Sequence, residues 1–231
     1  MRHKAFAKSL CDILDIKTVV FEEKSASTQQ FHKKEENYFK DLAGWQPRCQ
    51  YIACPCGFVN KGYVINTLKE QNLDYLFIFG SSLLKEEVFS IPKKGCINIH
   101  TGLVQHFRGV DSSLWAIYEE KPEAIGATIH YVDNSIDGGG IIAQKRTNLS
   151  IGDDLDDIFF KTCKTGFELL QEKMDKILEG KIKAKKLISR GKLYQKKDLN
   201  KSIVVKVNKK LPKVLKKYLH KKLDSKVEPM K

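Results

Sequence analysis

Asp74-Tyr75-Leu76-Phe77-Ile78-Phe79-Gly80-Ser81-Ser82 reads as the strongest buried strand of the chain, closed by a glycine and two serines. An unbroken apolar run of this length suits a strand covered on both faces. Before it, residues 62–71 carry apolar positions at helical spacing. After it, Pro92-Lys93-Lys94-Gly95 makes a turn into a second strand over 96–99. A helix, a strand, a turn and a strand, in that order, argue for an α/β domain with a mainly parallel sheet.

The flanks extend this pattern. Residues 4–14 have helical spacing, and 16–21 are rich in β-branched residues and read as a strand. Residues 27–42 suggest a polar helix with Phe31, Tyr38, Phe39 and Leu42 on its apolar face. A short strand is expected at 50–54, a short helix at 114–120, strands at 126–132 and 140–145, and a long closing helix over 153–178. Domains of this kind usually open with a buried strand, and here a polar turn and a helix come first, so the first strand is expected to be absent or to lie upstream. The catalytic domain is expected over 1–180, followed by a basic extension over 181–231 with a short strand pair and a helix at 211–223.

Composition narrows the class. A chain of 231 residues with 42% hydrophobic content can bury a full core. No run approaches the roughly 18 apolar residues of a membrane span, and the start has no secretory h-region. Cys11, Cys49, Cys54, Cys56, Cys96 and Cys163 form no disulfide framework, which fits reduced thiols in the cytoplasm. Cys49, Cys54 and Cys56 cluster without a placed fourth ligand, so no metal is expected. The extension holds 18 Lys and 1 Arg against Asp198, Asp224 and Glu228, a net of +16 in a chain of +13. Such a tail can attract nucleic acid or an anionic surface. A solvated helix face is favoured over nucleic acid, because aromatic stacking partners are nearly absent there.

Asn98-Ile99-His100 and, 37 residues after His100, Asp137 in Ile136-Asp137-Gly138-Gly139-Gly140 carry the chemistry. An amide, an imidazole and a carboxylate are the set that passes an acyl group to an amine. The amide holds a developing oxyanion, the imidazole stabilises that charge or moves a proton, and the carboxylate accepts the proton that the amine sheds. Asn98 and His100 alternate along a strand end and share a face. His130, on the 126–132 strand, is expected to support the site as a packed, hydrogen-bonded residue. In parallel sheets ligands sit beyond the carboxyl ends of the strands, which puts Gly80-Ser81-Ser82, His100 and the loop after Val132 on one rim.

Together, Ile97-Asn98-Ile99-His100, Phe107-Arg108-Gly109, Trp115, Gly126-Ala127-Thr128-Ile129-His130, Asp133 and Ile136-Asp137-Gly138-Gly139-Gly140-Ile141-Ile142 resemble the folate-dependent formyltransferases. That family includes glycinamide ribonucleotide, methionyl-tRNA and sugar-nucleotide N-formyltransferases. The resemblance is densest over 74–144. It implies a Rossmann-like domain that transfers the formyl group of 10-formyltetrahydrofolate to a primary amine. It implies that Asn98, His100 and Asp137 are catalytic. Ser82, Leu83, Leu84, Val132, Asp133 and Asp137 are then expected to bind the folate.

The chain departs from the family in two places. Many relatives read Pro-Ser-Leu-Leu-Pro after the histidine, where this chain reads Thr101-Gly102-Leu103-Val104-Gln105. The family's opening strand and its phosphate-binding loop do not precede Arg2. The looser loop and the short extension favour an amino sugar or sugar nucleotide as acceptor over methionyl-tRNA or glycinamide ribonucleotide. A hydrolase that gives the formyl group to water, and an inactive truncated homologue that binds anions through its tail, are the competing readings. A homodimer is compatible with the sequence.

Overall fold

The computed structural model describes residues 1–23, 34–42, 44–221 and 227. By their contacts the residues form two compact units. The first is Met1–Asn98 with Val132–Asn134, and the second is Ile99–Tyr131 with Ser135–Lys231.

In the first unit, helix α1 (Arg2–Cys11) buries Phe6, Ala7 and Leu10 on one face. Strands β1 (Thr18–Glu23) and β2 (Gln50–Pro55) pair in parallel, with Thr18 opposite Gln50 and Glu23 opposite Pro55. Between them lies the single turn α2 (Glu35–Tyr38). The long polar helix expected over 27–42 is therefore reduced, among the described residues, to this turn, and 27–33 lie outside them. Helix α3 (Gly62–Glu70) buries Val64, Ile65 and Leu68, the spacing that one helical face requires. Strand β3 (Tyr75–Phe79) and the short helix α4 (Glu86–Phe89) follow. Val59, Val64, Leu68, Leu84, Val88 and Cys96 form this unit's apolar core, with Val132 packed against it.

Strand β4 (Gly95–His100) contributes its first four residues to this unit and its last two to the other. The second unit continues with β5 (Phe107–Gly109), α5 (Ser112–Tyr118), β6 (Gly126–Tyr131) and β7 (Ile141–Arg146). Helix α6 (Leu155–Leu178), strand β8 (Lys192–Tyr194) and helix α7 (Lys201–His220) complete it. The main sheet has the order β3-β4-β6-β7, and β6 and β7 are antiparallel. Helix α6 begins on a capping box between Asp154 and Asp157, which satisfies amide groups that the first turn leaves open. Gly166 in α6 lets the helix lie close on the sheet, since a Cβ there would run into Ile99.

The extension differs from expectation. Among the described residues it carries one strand, β8, which pairs in parallel with β5 rather than with a tail partner. Helix α7 starts at Lys201, about ten residues before the expected point, on an Asn200 side chain that accepts the Ile203 N–H. Pro212 would suit the first turn of a helix. Here it is tolerated mid-helix, because Val207, Leu211, Val214, Leu215 and Tyr218 are buried in the second unit's core. Trp115 stacks on Tyr194 of β8 with ring centroids 3.8 Å apart, in the same core.

Candidate active site

His100 ends β4 and is 6% exposed. Both of its ring nitrogens face protein partners in the second unit. Nδ1 lies 3.4 Å from Asp137 Oδ2. Nε2 lies 3.0 Å from the Ser112 hydroxyl and 3.3 Å from the Phe107 carbonyl. Gly102 makes the room for this, because a Cβ there would collide with Ser112 Cβ and stand 2.6 Å from Nε2.

Asp137 reaches the imidazole from a turn and has φ +47, in the left-handed region. Aspartate visits this region more readily than most residues. Its Oδ2 accepts the Gly109 N–H at 2.8 Å, and its Oδ1 stands 3.5 Å from His130 Nε2. Arg108 braces the same turn by donating Nη1–H to the Ile136 carbonyl at 2.8 Å, while its Nε–H goes to the Gly191 carbonyl at 3.0 Å. Gly109 is required here twice over. Its φ is +88, and a Cβ would run into the Tyr194 carbonyl of β8.

The electrostatics favour an ionised acid beside a neutral base. Burial alone would raise the Asp137 carboxyl, but His100, His130 and the Gly109 N–H outweigh it and hold the group well below the usual carboxylate range. Burial pushes His100 down, and His130 and Arg108 act in the same direction. Asp137 and the Phe107 carbonyl oppose them. Asp137 is therefore ionised but a weak base, suited only to a proton that becomes acidic as an incoming group reacts. Asn98 lies two residues before His100 on β4, so strand alternation gives the two the same face.

The folate-binding candidates lie in the first unit. Leu84 belongs to the apolar core there, and Val132 packs against that core with its N–H on the Cys96 carbonyl at 2.8 Å. Leu83 is 73% exposed, and its carbonyl accepts from Asn60. Asp133 follows Val132, and Asn134 contacts Glu86 at 3.4 Å. The loops at 82–84 and 132–134 are thus tied to one core. Ser82 is anchored by Glu22, whose carboxylate accepts the Ser82 N–H at 2.6 Å and the Gly57 N–H at 2.7 Å.

Of the expected catalytic residues, the structure brings His100 and Asp137 together in the second unit, while Asn98 belongs to the first. Sequence reasoning missed Ser112 and Glu22. Ser112 follows an aspartate at a helix start, where a hydroxyl residue is ordinary. Glu22 sits on a strand with no flanking signal. Among the described residues no group of three or more His, Cys, Asp or Glu could hold a metal, and no helix is long and apolar enough to cross a membrane.

Residues 60–174 match the family model described as formyl transferase. A methionyl-tRNA formyltransferase from Kosmotoga olearia is 35% identical over 126 residues, 54% of this chain and 40% of that protein. One from Thermodesulfovibrio yellowstonii is 29% identical over 147 residues, 60% of this chain and 47% of the relative. The chain thus spans less than half the length of these relatives. Among solved structures, the formyltransferase PseJ from Anoxybacillus kamchatkensis, in complex with a UDP-formamido sugar and tetrahydrofolate, superposes with TM-score 0.59 at 20% identity, over 85% of this chain and 99% of that one. Phosphoribosylglycinamide formyltransferase from Anaplasma phagocytophilum gives 0.60 at 15% identity, over 84% and 94%. At such identities these two likenesses speak for the fold, which is the Rossmann-like fold of formyltransferases with mainly parallel strands. The matched segment contains β3, β4, α5, β6 and the Asp137 turn, and through it the chain belongs to the formyl transferase family.

Proposed function

We propose that this chain transfers a formyl group from 10-formyltetrahydrofolate to a primary amine on an amino sugar or sugar nucleotide. The observation that carries the reading is Asp137, its side chain 13% exposed and held ionised beside a neutral His100. When bound, the folate supplies the formyl carbon. Ser82, Leu83, Leu84, Val132 and Asp133 would hold its pterin. An apolar floor from Leu84 and Val132 with polar neighbours suits a flat heteroaromatic ring. Asn98 would donate to the formyl oxygen as negative charge gathers there, an interaction of about 3 kcal/mol. Asp137 takes the proton that the attacking amine sheds, and His100 stabilises the charge around it. The reading assigns catalysis to residues 1–180, with 181–231 as a basic extension.

The acceptor rests on two supports. The PseJ structure holds a sugar nucleotide and is covered over 99% of its length, and the Thr101–Gln105 loop departs from the Pro-Ser-Leu-Leu-Pro of many relatives. Methionyl-tRNA is the second acceptor, favoured by the methionyl-tRNA formyltransferases among the curated relatives. The test is tetrahydrofolate release with amino-sugar nucleotides, glycinamide ribonucleotide and methionyl-tRNA in turn. We expect turnover with an amino-sugar nucleotide and a fall in kcat of about 10²–10⁴-fold in Asp137→Asn. Formate release without any amine would make the chain a hydrolase, and no reaction with any acceptor would defeat the reading.

A further inference from the structure

The Ser112 hydroxyl is 1% exposed and 3.0 Å from His100 Nε2, opposite the side on which Nδ1 meets Asp137. A neutral imidazole has one N–H to place. An ionised Asp137 accepts and cannot donate, so a bare Nδ1 would set a lone pair against a carboxylate. The Phe107 carbonyl at 3.3 Å also only accepts, and it draws the hydrogen to Nε2 instead. These two acceptors compete for one hydrogen. A hydroxyl can donate or accept, and therefore decides the contest.

We infer that Ser112 is a positioning residue for His100, and that its hydroxyl donates to Nε2 and fixes the imidazole as the Nδ1–H tautomer facing Asp137. Two further features are built around that contact. Gly102 lacks the Cβ that would collide with Ser112 and crowd Nε2. Asp111, which leads into α5, has φ +53, and this left-handed residue turns the chain so that the helix opens with Ser112 at the imidazole. A strained backbone beside a cleft residue is kept where it aims a group. The Asp137–His100–Ser112 order is that of a hydrolase triad, but Ser112 is too buried to act as a nucleophile, so its hydroxyl serves the ring.

The tautomer assignment rests on the contacts of a neutral His100 with Ser112, Phe107 and an ionised Asp137, and its catalytic consequence rests on the formyl-transfer reading. The experiment is ¹⁵N NMR of the His100 ring near neutral pH, assigned by loss of its signals in His100→Gln, in wild type, Ser112→Ala and Ser112→Thr. Wild type is expected to show Nδ1 protonated and Nε2 bare. Ser112→Ala is expected to shift toward the Nε2–H form that donates to Phe107. Ser112→Thr, which keeps a hydroxyl, should restore the wild-type pattern. Kinetics on the same proteins should show kcat down about 10- to 100-fold in Ser112→Ala with the folate KM unchanged. An unchanged tautomer in a folded Ser112→Ala overturns the inference, as does a wild-type ring with Nε2 protonated. The expected NMR pattern in a wild type that transfers no formyl group would leave the tautomer assignment standing and defeat the proposed function alone.

Discussion

Two carboxylates, one in each unit, occupy similar settings and differ in their partners. Glu22 in the first unit accepts backbone N–H groups from Gly57 at 2.7 Å and Ser82 at 2.6 Å, with Val59 at 3.5 Å. Asp137 in the second accepts the Gly109 N–H and faces the imidazoles of His100 and His130. Amide hydrogens do not exchange protonation state in the working pH range, whereas imidazoles do. Glu22 therefore locks loops, and Asp137 sits where a proton can be handed on. The chemistry of the neighbours, more than burial, separates the two carboxylates.

The sharpest way to break this contrast is to neutralise each acid in turn. Asp137→Asn should lose about 10²–10⁴-fold in kcat, while Glu22→Gln should keep kcat within a fewfold, both read by tetrahydrofolate release. Equal losses in both would erase the distinction. Gly109→Ala comes next. Its φ of +88 and the Tyr194 carbonyl in the path of a Cβ predict a loss of about 2–4 kcal/mol in urea unfolding, together with a slower reaction because the N–H on Asp137 moves. Glu22→Gln should cost less, about 1–2 kcal/mol in the same experiment, because an amide offers one accepting oxygen where the carboxylate had two.

The smallest effect is in the pH dependence of stability. His100 is lowered by burial below its usual 6.5, so its neutral form is the one the fold favours. Its contribution is fully present above pH 6.5 and is lost as the pH falls through the lowered value. Asp137 is lowered from 3.8, so its contribution is present above about that pH and disappears only in stronger acid. Thermal unfolding should show a shallow decline below pH 6.5 that flattens in His100→Gln. A decline of the same size in that variant would assign it elsewhere.

Much of this was legible in the chain. Strand β3 is a five-residue apolar run between turn residues, and α6 has a capping acid and a long apolar face, so local physics sufficed to place both, but the burial expected on both faces of β3 is not found, since all five of its residues are half-buried. Asn98, His100 and Asp137 stood out as candidates because their types suit acyl transfer and the surrounding stretch resembles a family. Helix α7 begins earlier than expected, and five buried apolar residues spread over three turns hold it together around Pro212. Strand β8 was assigned a tail partner because pairing across more than eighty residues leaves no local trace, yet its partner is β5.

By itself, then, the sequence determined the class of fold, the order of the central elements and the three side chains proposed for the chemistry, since these follow from hydrophobic period, turn residues and side-chain type. Only the tertiary structure decided what surrounds those side chains. The Ser112 hydroxyl on His100, the Gly109 N–H on Asp137 and the Glu22 clamp on Ser82 each join residues that the chain keeps apart. Hydrogen bonds are decided by positions within a few tenths of an ångström, and those positions come from packing that no local window of sequence contains.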